Sequence, residues 1–261
     1  MEDILQTIVA HKRREVALHI AHTPLETMRA RAEAVDRPTV SMSRALKASS
    51  TGIIAEFKRR SPSKGWIARY AHPSDVAAAY ERSGATAMSI LTDGEFFGGG
   101  VADLTAARAV TTLPLLRKEF IVHEYQIYEA RAVGADAVLL IASVLTPEEC
   151  RHLTDTAHAL GLETLLEIHS ADEIGHILPD TDMIGVNNRH LGTFHTDTEV
   201  SFTMADKLPH DRVLVSESGI SSAETIRRLR EAGFAGFLIG ETFMKCEDPS
   251  QALRQLIAQI Q

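Results

Sequence analysis

Lys58, Lys118, Glu56, Glu167, Asn187 and Glu217 are the residues whose types and positions point to chemistry. Each closes a short apolar run: Ile53-Ile54-Ala55-Glu56-Phe57-Lys58, Leu115-Leu116-Arg117-Lys118, Leu165-Leu166-Glu167-Ile168-His169, Ile184-Gly185-Val186-Asn187-Asn188-Arg189 and Val213-Leu214-Val215-Ser216-Glu217-Ser218-Gly219. A sixth run, Phe237-Leu238-Ile239, ends in Gly240-Glu241. Two ammonium groups, three carboxylates and an amide in one place can donate, accept and orient protons on a polar substrate. A self-satisfying ion-pair network is the structural alternative. Buried charges are expensive, however, and apolar replacements are often as stable, so work on a polar substrate explains the set better.

Runs this short, β-branched and Leu-rich, bounded by turn residues, read as buried parallel strands. We place strands near 52–58, 86–91, 114–118, 136–141, 162–168, 183–187, 212–216 and 235–240. Helices are expected near 73–83, 102–110, 123–133, 147–160, 171–178, 202–207, 221–231 and 248–260. Thr146-Pro147-Glu148-Glu149 and Ser221-Ser222-Ala223-Glu224 are helix starts. Ser83-Gly84-Ala85, Val133-Gly134-Ala135 and Ala232-Gly233-Phe234 repeat one helix-to-strand junction, with glycine supplying the left-handed residue. The fold class is therefore α/β, a (β/α)8 TIM barrel, with catalytic groups at the carboxyl ends of several strands. A doubly wound open sheet is the rival. It concentrates chemistry at one switch point, whereas here six strand tips are marked.

Alternation along a strand puts Glu56 and Lys58 on the side shared with Ile54. In a closed barrel that side is the interior, where Lys118, Glu167, Asn187 and Glu217 also project. Ser218-Gly219 and Gly240-Glu241 follow the last two strands, the usual barrel site for a phosphate, where glycines let backbone N–H groups approach the anion. Only the N–H of Glu241 suits that task; its carboxylate should point away. Lys58, Arg59, Arg60 and Lys64, with Arg117, Lys118 and Arg189, offer local positive charge. Arg59 and Arg60 taken alone read as a solvated loop. The Gly94-to-Gly100 segment matches no phosphate-binding pattern and reads as a flexible rim loop.

The 261 residues suit one such barrel, 44% are hydrophobic, and the net charge is −8. That charge argues against nucleic acid and anionic membrane as partners. No stretch approaches a membrane span. Cys150 and Cys246 lie far apart without CxxC spacing and fit reduced thiols in a cytoplasmic protein. Twelve histidines form no ligand cluster, and no metal site is read. Residues 1–48 stand outside the alternation as a helical extension of a single barrel domain spanning 1–261. It is placed under the barrel, over the site, or in a dimer contact.

Glu-Phe-Lys-Arg-Arg-Ser-Pro-Ser (56–63), Leu-Arg-Lys-Glu-Phe-Ile (116–121), Glu-Ile-His (167–169), Gly-Val-Asn-Asn-Arg (185–189), Ser-Glu-Ser-Gly-Ile (216–220) and Ile-Gly-Glu (239–241) together resemble the indole-3-glycerol-phosphate synthase family. The resemblance runs the length of the chain. One departure is Glu119, where the family more often has Asp; following Lys118, it should point away from the interior. The resemblance implies conversion of 1-(2-carboxyphenylamino)-1-deoxyribulose 5-phosphate to indole-3-glycerol phosphate, carbon dioxide and water, without a cofactor. It implies Lys118 as general acid, its pKa expected to be lowered by a crowded cationic site. Lys58 would meet the substrate carboxylate, Glu167 would be the base in dehydration, and Glu56, Asn187 and Glu217 would orient these groups. Ser61, Phe120, Arg189, Ser218, Gly219, Gly240 and Glu241 are implied on the substrate. A loop from Ser61 to Tyr70 is expected to close over it. The partner is a small phosphorylated molecule, and the protein a monomer or homodimer. Two readings stay beside this one: a phosphoribosylanthranilate isomerase-like barrel, which needs a Cys/Asp pair, and a non-catalytic phospholigand-binding barrel.

Overall fold

Each of the eight apolar runs forms a strand of one closed ring. The computed structural model describes residues 4–190, 192 and 195–260; the first three residues of the extension lie outside it. The strands are β1 (Ile53–Phe57), β4 (Ala87–Leu91), β5 (Leu115–Lys118), β6 (Ala137–Ile141), β7 (Glu163–Ile168), β8 (Met183–Asn187), β9 (Val213–Glu217) and β10 (Phe234–Ile239). All pair in parallel in chain order. β1 closes the ring against β10, with Ile53 opposite Phe237. β2 (Arg60–Ser61) and β3 (Gly65–Trp66) form a small antiparallel hairpin outside it. The barrel helices are α4 (Pro73–Arg82), α5 (Val101–Arg108), α6 (Glu124–Ala132), α7 (Pro147–Ala159), α8 (Glu199–Ala205), α9 (Ala223–Glu231) and α11 (Pro249–Ile260). The short α10 (Glu241–Met244) precedes the last, and Ala171–His176 is a 3-10 helix where an α-helix was expected.

Period-two alternation builds two separate cores. Outward residues such as Ala55, Phe57, Ile90, Leu115 and Ile184 pack beneath the helices. Inward residues, among them Ile54, Leu116, Leu139, Leu165, Met183, Val213 and Val215, fill the ring. The next inward position on β1, β5, β7 and β9 is Glu56, Lys118, Glu167 and Glu217 respectively, and on β8 Asn187 follows Met183 and Gly185. The apolar layer is thus a floor, and the polar tips stand on it at one mouth.

The extension serves both ends of the barrel. α3 (Met42–Ala48), capped by Ser41, puts the fully buried Met42 and Leu46 into the interior cluster from below. α1 (Ile4–His22) lies at the other end, where Lys12 meets Asp93 and Glu119. α2 (Leu25–Glu33) connects them, packed on α6. Of the three places open to the extension, the bottom is taken by α3, while α1 lies beside the rim without lining the cavity between the strand tips.

Asp136 ties the connection down. It is fully buried; one oxygen accepts from Arg37 Nη1 at 2.8 Å and Val40 N–H at 2.9 Å. The other accepts from Arg108 Nη1 at 2.8 Å and Leu115 N–H at 2.9 Å. Removing one member of a buried pair leaves charge uncompensated, typically costing about 3–5 kcal/mol. Asp136→Ala is expected to lose about that much, read as a lower urea midpoint at unchanged slope. Asp136→Asn, which keeps an acceptor, should lose less.

Candidate active site

The strand tips converge on a cavity of about 140 Å³ lined by Glu56, Lys58, Lys118, Glu167, Asn187 and Glu217. Lys118 Nζ lies 2.9 Å from Glu167 Oε2 and 3.4 Å from Glu217 Oε2. Lys58 Nζ lies 2.6 Å from Glu56 Oε1. Asn187 Oδ1 accepts the Arg189 N–H at 3.0 Å, fixing the turn after β8.

Electrostatics corrects one expectation. Lys118 faces carboxylates, not cations. Burial works against its charge, but Glu167, Glu217 and Glu56 together hold its pKa above the ordinary lysine value. Glu167 is likewise penalised by burial, yet Lys118 and His169 keep its carboxyl below the usual range. Burial pushes Glu217 up; Lys118 pulls it back, the nearby Glu167 and Glu56 push it up again, and it stays above the ordinary carboxylate range. Burial at this mouth thus favours a charged lysine, an ionised Glu167 and a proton on Glu217.

The opposite wall is built from backbone. Ser218 and Gly219 both take positive φ, 68° and 76°, which turns consecutive N–H groups toward one side. Asn188 fixes that turn. Its amide donates to Ser216 Oγ and the Ser218 carbonyl at 3.0 Å each, and its oxygen accepts from the Ser201 hydroxyl at 2.8 Å. Ser218, Gly219, Gly240 and Glu241 line the same cavity as the lysines. The Glu241 carboxylate turns to Arg189, 3.5 Å away, and Arg189 also donates to Ser63 Oγ at 3.1 Å. A Cβ at Gly240 would run into the Glu56 carboxylate. A substitution there disturbs the Glu56–Lys58 pair as well as any anion.

Phe120 and Phe97 line the remaining side, ring centroids 6.1 Å apart. Ser61 stands apart from this cavity. It is buried in the small hairpin, its hydroxyl without a hydrogen-bond partner among the described residues. The Gly94-to-Gly100 segment is tied down rather than loose, since Asp93 Oδ1 accepts the N–H groups of Phe96 and Phe97 at 2.7 and 3.2 Å. Arg59 is paired with Asp103 at 2.5 Å rather than solvated. Cys150 is buried in α7 and Cys246 lies just after α10; neither lines the cavity.

Three participants escaped the sequence reading. His169 Nε2 lies 3.4 Å from Glu167 Oε1 and its Nδ1 3.6 Å from Glu173. Its signal was position, two residues beyond Glu167 and so on the same side. Asn188 alternates with Asn187 and faces outward, toward Ser201 and Ser216. Phe97 carried no periodic signal, because its turn is set by Asp93.

A closed parallel barrel with ionisable groups gathered at the carboxyl ends of its strands defines a class, the (β/α)8-barrel enzymes. The fold is shared with a mutant tryptophan synthase alpha-subunit from Pyrococcus furiosus at 14% identity and TM-score 0.59, covering 80% of this chain and 97% of that one. It is shared also with the N-acetylmannosamine-6-phosphate 2-epimerase from Clostridium perfringens at 14% identity and TM-score 0.60, covering 87% of this chain and all of that one. A family model described as indole-3-glycerol phosphate synthase matches residues 5–256. The indole-3-glycerol phosphate synthase of Bacteroides thetaiotaomicron is 54% identical over 261 residues, covering all of both chains. That of Burkholderia cenocepacia is 45% identical over 259 residues, covering 98% of this chain and 99% of that one. The chain belongs to the indole-3-glycerol phosphate synthase family, carboxy-lyases of tryptophan biosynthesis.

Gly185 supplies a test of how tightly the carboxylates are placed. A Cβ there would press directly on Glu217 Oε1. Gly185→Ala is expected to lower kcat on the order of a hundredfold, the scale of a displacement near 1 Å. Circular dichroism and the thermal midpoint should change little. Wild-type kcat would show that Glu217 can move without consequence.

Proposed function

We propose that the chain closes the indole ring of 1-(2-carboxyphenylamino)-1-deoxyribulose 5-phosphate, releasing carbon dioxide and water, with the strand-tip residues in the roles below. The observation that carries this reading is Lys118 held by Glu167 and Glu217 in a cavity also lined by Phe97, Phe120 and the Ser218–Gly219 turn. The substrate has the matching parts: an aryl carboxylate, a ketone in the middle, and a phosphate at the far end. Phe97 and Phe120 flank the aryl ring, and Lys58 pairs with its carboxylate. Ser218, Gly219, Gly240 and the N–H of Glu241 hold the phosphate, with Arg189 beside it. Ser61 acts on the substrate only if the hairpin it belongs to moves inward.

The ring carbon bearing the carboxylate attacks the ketone carbon, and Lys118 protonates the ketone oxygen. The new carbon–carbon bond interrupts aromaticity. Loss of carbon dioxide returns the bonding electrons to the ring and restores it. Glu167 then removes a proton while Lys58 or Lys118 protonates the departing hydroxyl, which leaves as water. The raised pKa of Lys118 means that the acid is loaded at rest. The cost is a weaker drive to give the proton up, offset where negative charge develops on the ketone oxygen. Glu56, Asn187 and Glu217 orient these groups. The whole chain acts as one domain, with residues 1–48 as its helical extension, in the cytoplasm, as a monomer or homodimer. Among the described residues no helix is long and apolar enough to cross a membrane.

The direct experiment is to incubate the purified protein with the carboxyphenylamino substrate and follow indole fluorescence; absence of product rejects the reading. Lys118→Met is expected to lose about a hundred- to ten-thousand-fold in turnover with product affinity changed only modestly. Glu167→Gln keeps shape but loses the base, so single-turnover analysis should show a decarboxylated intermediate accumulating. Equal loss of carbon dioxide release and indole formation would count against that division of labour.

The pH dependence follows from Glu217. Its raised pKa keeps it neutral at lower pH, and ionisation on raising pH adds a negative charge beside the site for an anionic substrate. We expect kcat/KM to fall as pH rises through an ionisation above the ordinary carboxylate range. Lys118, shifted above the lysine value, stays charged across that interval. Glu217→Gln should flatten this limb of the profile, and its persistence would assign the ionisation elsewhere.

A further inference from the structure

We propose that Lys12, in the amino-terminal helix, is a positioning residue of the active site, clamping the turns after β4 and β5 so that Phe97 and Phe120 stand in place for the substrate's aryl ring. The part concerning the aryl ring rests on the function proposed above; the clamp itself does not.

The residue is out of place for a surface lysine. The buried stripe of α1 is Leu5, Ile8, Lys12 and Val16, the spacing of a helix's apolar face. Lys12 occupies a core position of that stripe and is fully buried. Its ammonium lies 2.8 Å from Glu15 Oε1, 3.0 Å from Asp93 Oδ2 and 3.1 Å from Glu119 Oε1. An ammonium carries three protons, and three carboxylates surround it.

Two of those carboxylates also grip the cavity wall. Asp93 uses its other oxygen on the N–H groups of Phe96 and Phe97. Glu119 accepts the Phe120 N–H at 2.8 Å on one oxygen and the Thr92 hydroxyl at 2.9 Å on the other. Glu119 is also the residue next to Lys118, and it points out of the ring to Lys12, as its alternation requires. One ammonium therefore joins two strand ends, and each partner carboxylate holds the backbone of a phenylalanine that faces the cavity. His11, the neighbour of Lys12, adds an edge contact to Phe96 at 5.6 Å between ring centroids. Fastening a helix to a barrel needs no buried charge, since apolar residues commonly do so with equal stability. What an apolar residue would not do is orient Asp93 and Glu119.

The decisive protein is the triple variant Lys12→Met/Asp93→Asn/Glu119→Gln. Lys12→Met alone strands two buried carboxylates against each other and risks unfolding. The triple variant removes that repulsion and the clamp, and it keeps one amide oxygen at each site for the phenylalanine N–H groups; at Glu119→Gln the amide nitrogen meets the Thr92 hydroxyl as a donor instead. With folding verified by circular dichroism, amide hydrogen exchange at Phe96, Phe97 and Phe120 should accelerate about tenfold or more, and KM for the carboxyphenylamino substrate should rise by a similar factor, the scale of one lost charge-assisted hydrogen bond. Competitive inhibition by inorganic phosphate should stay at its wild-type strength, because the Ser218–Gly219 wall is untouched. Exchange and KM both at wild-type values would overturn the proposal. So would an equal loss of phosphate inhibition, which marks general damage. If the wild type itself forms no indole product, the proposed function fails, and the exchange rates alone still decide the clamp.

Discussion

The Lys118–Glu167 ion pair sits where an apolar barrel interior meets the mouth, and its neighbours follow from the demand for charge balance there. Two ammonium groups, Lys58 and Lys118, face three carboxylates, Glu56, Glu167 and Glu217. Buried beside them, the third carboxylate has no full counter-charge, and the Glu217 carboxyl is held above the ordinary carboxylate range. The pair also explains the floor. Ile54, Leu116, Leu165 and Val215 keep water from reaching the charges from below, so their mutual attraction stays strong. Gly185 has no side chain where Glu217 must stand, and Gly240 has none where Glu56 must. The two glycines make room for carboxylates as well as for a ligand.

The eight strands were legible because each is a short apolar run, and the shared mouth because six of them carry polar or ionisable groups at their ends and period-two alternation decides which residues share the interior. The glycine junctions read correctly for the same local reason. The β2–β3 hairpin and α10 were not legible, because elements of two to four residues are too short to show a period. The state of Lys118 was misread for a different reason. Sequence shows the cations crowding the strand tips in number, but only the folded ring shows that Arg117 faces outward to Glu129 at 2.6 Å while the carboxylates face in. Arg59 is a parallel case, since its partner Asp103 lies more than forty positions away in α5. Lys12 opens the charged run Lys12-Arg13-Arg14-Glu15, which reads as solvated in sequence; only the folded helix shows it buried in line with Leu5, Ile8 and Val16.

The extension packs against the barrel at both ends. Asp136 receives Arg37 from the segment between α2 and α3 and Arg108 from α5, and α3 fills the base of the ring. Lys12 reaches the rim at the other end. Residues 4–48 therefore run from the face of the strand tips to the opposite face, and the turns bearing Phe97 and Phe120 and the interior's lower layer both contact residues that precede the first strand.

Closure of the ring has a consequence for how the chain acquires its structure. β1 must pair with β10, its partner Phe237 lying far along the polypeptide from Ile53. Leu46 of α3 stands where a methyl on Gly236 of β10 would meet it at 3.2 Å. As the protein is synthesised from its amino end, α3 and β1 emerge early with part of their final surroundings still unmade. The exposed flank of β1 offers unpaired amides throughout that interval, a template for mispairing with another nascent chain. Such long-separation contacts raise the contact order and slow the final step. The partly assembled sheet thus has an aggregation hazard that the finished ring, having no free edge, does not.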